Sequence, residues 1–335
     1  MIDKVVLKVE IAANTTFELA ERLEELAARN KLQKCSVGNA VYYKSTDEAK
    51  FSGLYLQTKG GRLQIKCSLH KQYSLRVLGR LDNSGQFTMR NAVWTINTLF
   101  DEIGIEPNSG FVTYYEIGLN IATDRPPVEY IELIRAIGNS KEKEAFNDAN
   151  FRKNRQKTTE KSKTLKKFFK VYDKGFEMSD RKRQPHDDDP YILRLETVQK
   201  RQKIKVTDFF SPSHLNKIAA TFIRDWRSVE FEKGFQAAKG THPSQQARAR
   251  LILSLGMDGY LAKISEQFNK NELTPKGYRT AREFARDWPK HKNNYSLITN
   301  ELESEYREKL EANFQTMGKM PISAQNGKNQ NIDNQ

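Results

Sequence analysis

The strongest constraint on this chain is a set of short segments in which apolar residues occupy every second position. In "TYYEIGLNI" (113–121), Thr113, Tyr115, Ile117, Leu119 and Ile121 form one set, and Tyr114, Glu116, Gly118 and Asn120 the other. Side chains alternate across a strand, so each set lies on its own face. "FKVYDK" (169–174) opposes Phe169 and Val171 to Lys170, Tyr172 and Lys174. "ILRLETV" (192–198) opposes Leu193 and Leu195 to Arg194 and Glu196, and "LQIKCSLHK" (63–71) opposes Leu63, Ile65, Cys67 and Leu69 to Gln64, Lys66, Ser68 and His70. Such segments pair into a sheet with one buried and one polar face.

The rest of the chain supplies the covering elements. "IDKVVLKVEIA" (2–12) reads as a strand; Thr15 and Thr16 offer an N-cap for "TFELAERLEELAARNKL", whose apolar residues recur at helical spacing. "AVYYKS", "GLYLQT" and "GRLQIKCSLHKQY" (61–73) read as strands, the last two joined as a hairpin by "KGG" at 59–61. "TMRNAVWTINTLFDEIGI" predicts a helix with Ala92, Ile96, Leu99 and Phe100 on its buried stripe, followed by the strand "GFVTYYEIGLNIAT". This β-α-β-β-α-β order is that of a split βαβ unit. Residues 126–149 read as a helix with a polar connection, 152–167 as a mobile loop, and "KFFKVYDKG" and "YILRLETVQKR" as strands separated by the turn-rich "SDRKRQPHDDDP". From Ser211 the pattern is helical. The expected fold class is α+β, an antiparallel sheet built from split βαβ-like halves with packed helices. It comprises an α+β domain over 1–210, a helical region over 211–316 and a disordered polar tail over 317–335. Trp94, Trp226 and Trp288 are expected in the core.

With 335 residues, 37% of them hydrophobic, a sizeable core is available. The formal charge of +14 points to a polyanionic partner. That excess is concentrated: Arg152–Lys174 holds ten basic and two acidic residues, and Arg194–Lys205 five and one. No apolar run of signal-peptide or membrane-spanning length occurs, so a soluble, cytoplasmic protein without membrane partners is expected. Cys35 and Cys67 form no CxxC pair, and Cys67 alternates with apolar neighbours as a core residue does.

The basic windows border the chemistry-bearing residues. Glutamate is a poor strand former, yet Glu116 and Glu196 stand in strand centres. Were Glu116, Glu177 and Glu196 to converge, their repulsion would call for a hard cation, and all-oxygen ligation suits Mg2+ or Mn2+. Beside such an ion Tyr172 becomes a candidate nucleophile. Its phenol, near pKa 10 when free, would need help from Lys170, Lys174, the metal or a base. Attack on phosphorus by a phenol, unlike attack by water, keeps a reactive phosphotyrosine ester. Phe168, Phe169 and Tyr191 are candidates for stacking on bases, with lysines on phosphates. The bland alternative is an ordinary solvated sheet face whose acids form salt bridges.

"YYEIGLNIA", "FFKVYDKGFE" and "LRLETVQKR", with "SLHKQY" at 68–73, resemble in order and spacing the rolling-circle replication initiators of filamentous phages (gene II type) and small plasmids, over roughly residues 1–210. The resemblance implies a divalent-metal-dependent nicking and strand-transfer endonuclease. It acts at double-stranded origin DNA, holds the 5′ phosphate on a tyrosine and frees a 3′ hydroxyl to prime a host polymerase. It implies Tyr172 as nucleophile, Lys174 on the scissile phosphate, and Glu116, Glu177 and Glu196 as ligands of Mg2+ or Mn2+. Asn120 stands where plasmid members often carry a second acid, which leaves it to orient a metal-bound water.

For the DNA surface, double-stranded and single-stranded, the candidates are Arg152, Lys153, Arg155, Lys166, Lys167, Lys170, Lys200 and Arg201. No G-x-x-x-x-G-K-[ST] occurs, so strand separation would fall to a host helicase. The His-x-His pair of another initiator class is absent, since the five histidines are isolated. A homodimer is one assembly considered. The alternative function is a non-catalytic origin-binding or copy-control protein, for which the helices after Ser211 could house a helix-turn-helix.

Overall fold

The computed structural model describes residues 1–11, 16–45, 53–83, 85, 87–139, 143–149, 151–159, 166–180 and 191–317. They fall into two compact units, Met1–Glu230 with the chain from Glu305 on, and Phe231–Ser304. The helix Pro212–Arg227, which begins just past the 210/211 boundary expected from sequence, belongs to the same unit as the sheet. Most of the "SDRKRQPHDDDP" turn and the tail from 318 on lie outside the described residues.

The first unit is organised by a nine-stranded sheet. Its strands are β1 (Ile2–Glu10), β2 (Leu32–Val37), β3 (Ala40–Ser45), β4 (Leu54–Lys59), β5 (Arg62–Ser68), β6 (Gly110–Ala122), β7 (Gln156–Thr158), β8 (Lys167–Asp173) and β9 (Ile192–Lys205). Their spatial order is β2-β3-β4-β5-β1-β6-β9-β8-β7, and every neighbouring pair is antiparallel. This is the expected α+β class. The β4–β5 hairpin turns through Gly60 (φ 55°) and Gly61 (φ 70°), both in the left-handed region that a two-residue turn of this twist requires.

Directly paired residues share a face. Val5 pairs with Cys67 and Tyr115, Leu7 with Ile65 and Val112, and all six are buried. Helices α1 (Thr16–Arg29), α2 (Leu69–Leu78) and α3 (Met89–Ile103) cover that apolar face around β1 and β2. Farther along it the helix α5 (Pro212–Arg227) delivers Trp226, fully buried, whose indole N–H donates to Thr197 Oγ1 at 3.1 Å and whose ring meets Phe169 edge-on at 5.8 Å. Tyr306 donates to the Trp226 carbonyl at 3.0 Å, tying the last helix, from Glu305 on, to this core.

Several expectations need correction. The strand expected to run to Tyr73 stops at Ser68, because its hydroxyl accepts from Lys71 N and starts α2, so His70 lies on a helix. The described residues within 126–149 include a short helix, Pro127–Leu133, and two paired strands, Ile134–Ile137 and Glu144–Ala145. The segment 152–159, expected as loop, carries one turn of helix and the edge strand β7. Leu32–Val37, unassigned from sequence beyond its first residue, is a strand with a mostly exposed polar face. Trp94, expected in the core, is 38% exposed.

His70 gives a pH prediction. Its ring stacks on Phe87 at 4.5 Å, and burial, with positive charge from the Met1 amine and Arg194 and against the pull of Asp3, lowers its pKa to about 3. The unfolded chain takes up this proton near pH 6.5, so the stability it supports is complete above that value and declines as pH falls toward 3. Below pH 6 the loss approaches about 1.4 kcal/mol per pH unit. His70→Phe should flatten the pH dependence of the urea midpoint between 6.5 and 4; a profile as steep as the parent's would refute this.

Candidate active site

The polar face of the same sheet carries the candidate site, and strand register assembles it. Tyr172 in β8 pairs with Arg194 in β9, which pairs with Asn120 in β6. Two residues along, Lys170 pairs with Glu196 and Glu196 with Gly118. Two further along β6, Glu116 pairs with Lys4 of β1. Tyr172, Lys170, Glu196 and Glu116 line one cavity of about 490 Å³, together with Asp3, Asn83 and Glu177.

Glu177 reaches the cavity from a short helix, α4 (Lys174–Asp180), that directly follows β8. Asp173 starts that helix: its carboxylate accepts from Phe176 N at 2.9 Å and pairs with Arg155 at 3.1 Å. Lys174, expected on the scissile phosphate, is fully buried instead, donating to Asn83 Oδ1 at 2.9 Å and to Glu177 at 2.5 Å.

The Tyr172 hydroxyl donates to Glu196 Oε1 at 2.8 Å. Burial, then the carboxylates of Glu196 and Glu177, push the phenol well above its usual pKa of 10. Burial would raise Glu196 as well, but the Lys170 ammonium at 2.7 Å and the Arg194 guanidinium at 3.2 Å outweigh it and hold the carboxyl at about 2. Lys170 also lies 3.6 Å from Glu116, and it is raised because these two carboxylates overcome its burial. Tyr114 donates to the other Glu116 oxygen.

Arg194 is the hub of the network. Its guanidinium donates to Asp3 at 2.7 Å, Asn120 at 2.9 Å and Glu196 at 3.2 Å. The Asn120 carbonyl oxygen is thus engaged by an arginine within this network. Arg194 lies across Gly118, where a Cβ would stand 2.5 Å from Nη2 and 2.7 Å from Cζ. Because three partners pin the guanidinium, it cannot swing aside. Gly118→Ala should cost about 2 kcal/mol of stability through overpacking; an unshifted urea midpoint would show that the guanidinium has room to move.

The expected DNA surface is divided. Arg152, Lys153, Arg155, Lys166 and Arg201 are exposed, and Lys200 is half-buried with its ammonium 4.6 Å from the Phe168 ring centre. Lys167 is paired with Asp225 at 2.7 Å on the helix-covered face, Arg155 is held by Asp173, and Lys170 points into the cavity. Phe168 and Phe169, proposed to stack on bases, are 5% and 4% exposed and belong to the core; Tyr191 is 39% exposed. The basic window 152–174 is thus not one surface.

Three residues that line the cavity stood in no motif of the sequence. Strict alternation puts Asp3 with Val5 on the core face, but an irregularity between Ile2 and Lys4 re-aims it to the polar one. Lys4 was visible in the alternation of β1 but had no motif around it. Asn83 sits in the connection after α2, where no pattern marks it.

For a metal, the donor chemistry is oxygen-rich but not assembled as a three-carboxylate set. Among the described residues no three Asp, Glu, His or Cys side chains come together as ligands. Glu116 and Glu196 share one cation, and it is the Lys170 ammonium, while Glu177 is taken by Lys174. A divalent ion held by the glutamate pair would have to displace Lys170. Among the described residues no helix is long and apolar enough to cross a membrane.

No protein-family model matches the chain, and no curated protein matches it. Among solved structures it is similar to a rolling circle replication initiator protein from Geobacillus stearothermophilus, at 10% sequence identity and a TM-score of 0.36, over 74% of this chain and 90% of that one.

Proposed function

We propose that the chain is a rolling-circle replication initiator: a site-specific DNA nicking and strand-transfer endonuclease with Tyr172 as nucleophile. The observation that carries this is the hydrogen bond from the Tyr172 hydroxyl to Glu196 inside a cavity that also presents an ammonium. The phenolic oxygen attacks phosphorus, the bond to the 3′ oxygen breaks, and the 5′ phosphate stays on the tyrosine. The phenolic proton passes to Glu196, and the departing 3′ oxygen takes a proton from solvent.

In the resting arrangement that transfer is steeply uphill. Against its burial, Lys170 and Arg194 hold the Glu196 carboxyl low, while burial and the neighbouring carboxylates push the phenol up, so the proton stays on the tyrosine. The substrate itself relieves part of this, because a phosphodiester anion entering the cavity competes with Glu196 for Lys170. Lys170 leaving Glu196 raises the carboxyl's proton affinity and places the ammonium on the phosphate, where charge develops. Glu116 and Glu196 are the pair that would hold Mg2+ or Mn2+ once Lys170 has moved, and Glu177 can turn to the same space from α4. When bound, the ion supplies positive charge that favours the ionised nucleophile and the transition state.

DNA binding on this face is supported by cations interleaved with rings. Lys66 sits 4.5 Å from the Tyr55 ring centre and Lys4 5.8 Å from that of Tyr114. Such surfaces suit single strands, lysines meeting phosphates and rings meeting bases. Origin DNA, a host helicase and a host polymerase follow as partners from the chemistry proposed.

A second reading rests on the ion pairing: the carboxylates of Asp3, Glu116, Glu177 and Glu196 all have a cationic partner, as a purely structural network would. The two separate in one assay. Supercoiled DNA carrying the cognate origin, incubated with protein and Mg2+ or Mn2+, should yield relaxed circles with protein covalently attached at a 5′ end. Binding without any covalent product would favour the non-catalytic reading.

A further inference from the structure

We propose that the second compact unit, Phe231–Ser304, is a reader of duplex DNA whose contact element is the helix Pro275–His291. The unit is built from a two-stranded ribbon, β10 (Gly234–Ala237) with β11 (Tyr295–Ile298), the helical stretch α6 (Pro243–Asn269) and α7 (Pro275–His291). α6 is two helices, because Gly256 (φ 73°, ψ 170°) breaks it. Its own core of Ala249, Ile252, Tyr260, Ile264, Phe284 and Tyr295 holds the three helical pieces together.

The link from α6 to α7 is tightly specified. Asn271 takes a left-handed φ of 59°, Glu272 N returns to Gln267 O at 2.9 Å, and the Thr274 hydroxyl caps α7 by accepting from Gly277 N at 3.1 Å. Phe268 stacks on Tyr278 at 4.5 Å, and the Tyr260 hydroxyl donates to Ala281 O at 3.1 Å, so α6 and α7 meet at a defined place. A helix, a short constrained turn and a second helix packed on the first are the parts of a helix-turn-helix.

The two sides of α7 differ sharply. Ala281, Phe284 and Ala285 are buried, and Trp288 stacks on Tyr295 at 5.7 Å. At about 100° per residue, Lys276, Arg279, Arg282, Arg286 and Lys290 fall within an arc of about 120° on the opposite side. All five are exposed. The stripe runs for about 21 Å, at 1.5 Å per residue, a length suited to a helix laid in a major groove. Two acids accompany it on α7; Asp287 is taken up locally by Arg286 at 3.6 Å and Lys290 at 3.2 Å, leaving Glu283 against the remaining cations. Three of the five cations are arginines, whose forked donors fit phosphates and guanine edges. Tyr278 and Trp288 are engaged in packing, so this face offers no ring for stacking on unpaired bases; that favours a duplex over a single strand.

The test uses the full chain in EDTA, where binding is read without metal-assisted nicking, so its outcome is independent of the role of Tyr172. Fluorescence anisotropy with a mixed-sequence 30-base-pair duplex and with oligo-dT is measured across a NaCl series. Arg279→Gln/Arg282→Gln/Arg286→Gln should weaken duplex binding by about 30-fold or more at low salt, and should make the log–log salt slope shallower by about 2.7, at about 0.9 for each phosphate no longer neutralised. Oligo-dT binding should be unchanged. The charge-preserving Arg279→Lys/Arg282→Lys/Arg286→Lys variant should retain the parent's salt slope, which separates removal of charge from failure to fold. Duplex affinity and slope unaltered in the glutamine variant would overturn the proposal, as would an equal weakening of oligo-dT binding.

Discussion

Tyr172→Phe should form no covalent protein–DNA product at any time of incubation, while its affinity for the same DNA stays within a few-fold of the parent's. The substitution removes only the hydroxyl proposed as the nucleophile and leaves the ring where it packs. Its structural cost is confined to the hydrogen bond to Glu196, and losing such a bond to a charged group costs about 1.5–3 kcal/mol. The ammonium of Lys170 still neutralises Glu196, so no unpaired charge is created. Denaturing gel electrophoresis of radiolabelled DNA reads the adduct, and filter binding reads the affinity. A phenylalanine variant that still nicks would move the nucleophile elsewhere, and one that loses binding equally would make Tyr172 a DNA-binding residue rather than the attacking one.

The largest effect on stability is expected from Arg194→Met. Arg194, 3% exposed, is the cation between Asp3 and Glu196, 6% and 3% exposed. Burial alone would raise Asp3, yet Arg194 chiefly, then His70, Lys174 and Lys71, hold it far below the usual carboxylate range. Removing the guanidinium strands Asp3 without its closest partner and takes three hydrogen bonds with it. Breaking a buried ion pair from one side costs about 3–5 kcal/mol, which for a unit of this size lowers Tm on the order of 10 °C. Asp3→Asn combined with Arg194→Met should recover part of that loss, because the second substitution then no longer leaves a bare carboxylate. If the double variant is as unstable as the sum of the singles, the Asp3–Arg194 pair is not the source of the effect.

Much of the sheet was legible because strand alternation is a local signal. Period-2 patterning in 113–121, 169–174 and 192–198 put Glu116, Asn120, Lys170, Tyr172, Arg194 and Glu196 on polar faces, and the register places those faces together. What alternation could not report was pairing. That Lys170 sits between Glu116 and Glu196 depends on β6, β9 and β8 being consecutive in space, and nothing within one strand states its neighbours. Charge was read less well. Lys157, Lys170 and Lys174 all counted toward the basic window 152–174 that pointed to a polyanion, but Lys157 donates to the carbonyls of Glu132 and Ile134, Lys170 is paired with Glu196 and Glu116, and Lys174 with Glu177. A lysine's long stem lets it serve the interior as readily as the solvent, so a count of cations does not locate a surface. The short strands after 133 were missed because each is shorter than the window in which periodicity is detectable.

The irregularity in β9 against β6, between Lys200 and Ile204, bears on which length changes the protein can tolerate. It lies past the last residue that serves the cavity. A one-residue insertion there can be absorbed as a wider bulge, leaving Arg194 and Glu196 facing their partners. The same insertion between Ile192 and Arg194 would carry Tyr172's partners to the helix-covered side and bring Leu193 and Leu195 out in their place. Length variation among descendants of this chain should therefore accumulate after Lys200 and be purged before Glu196.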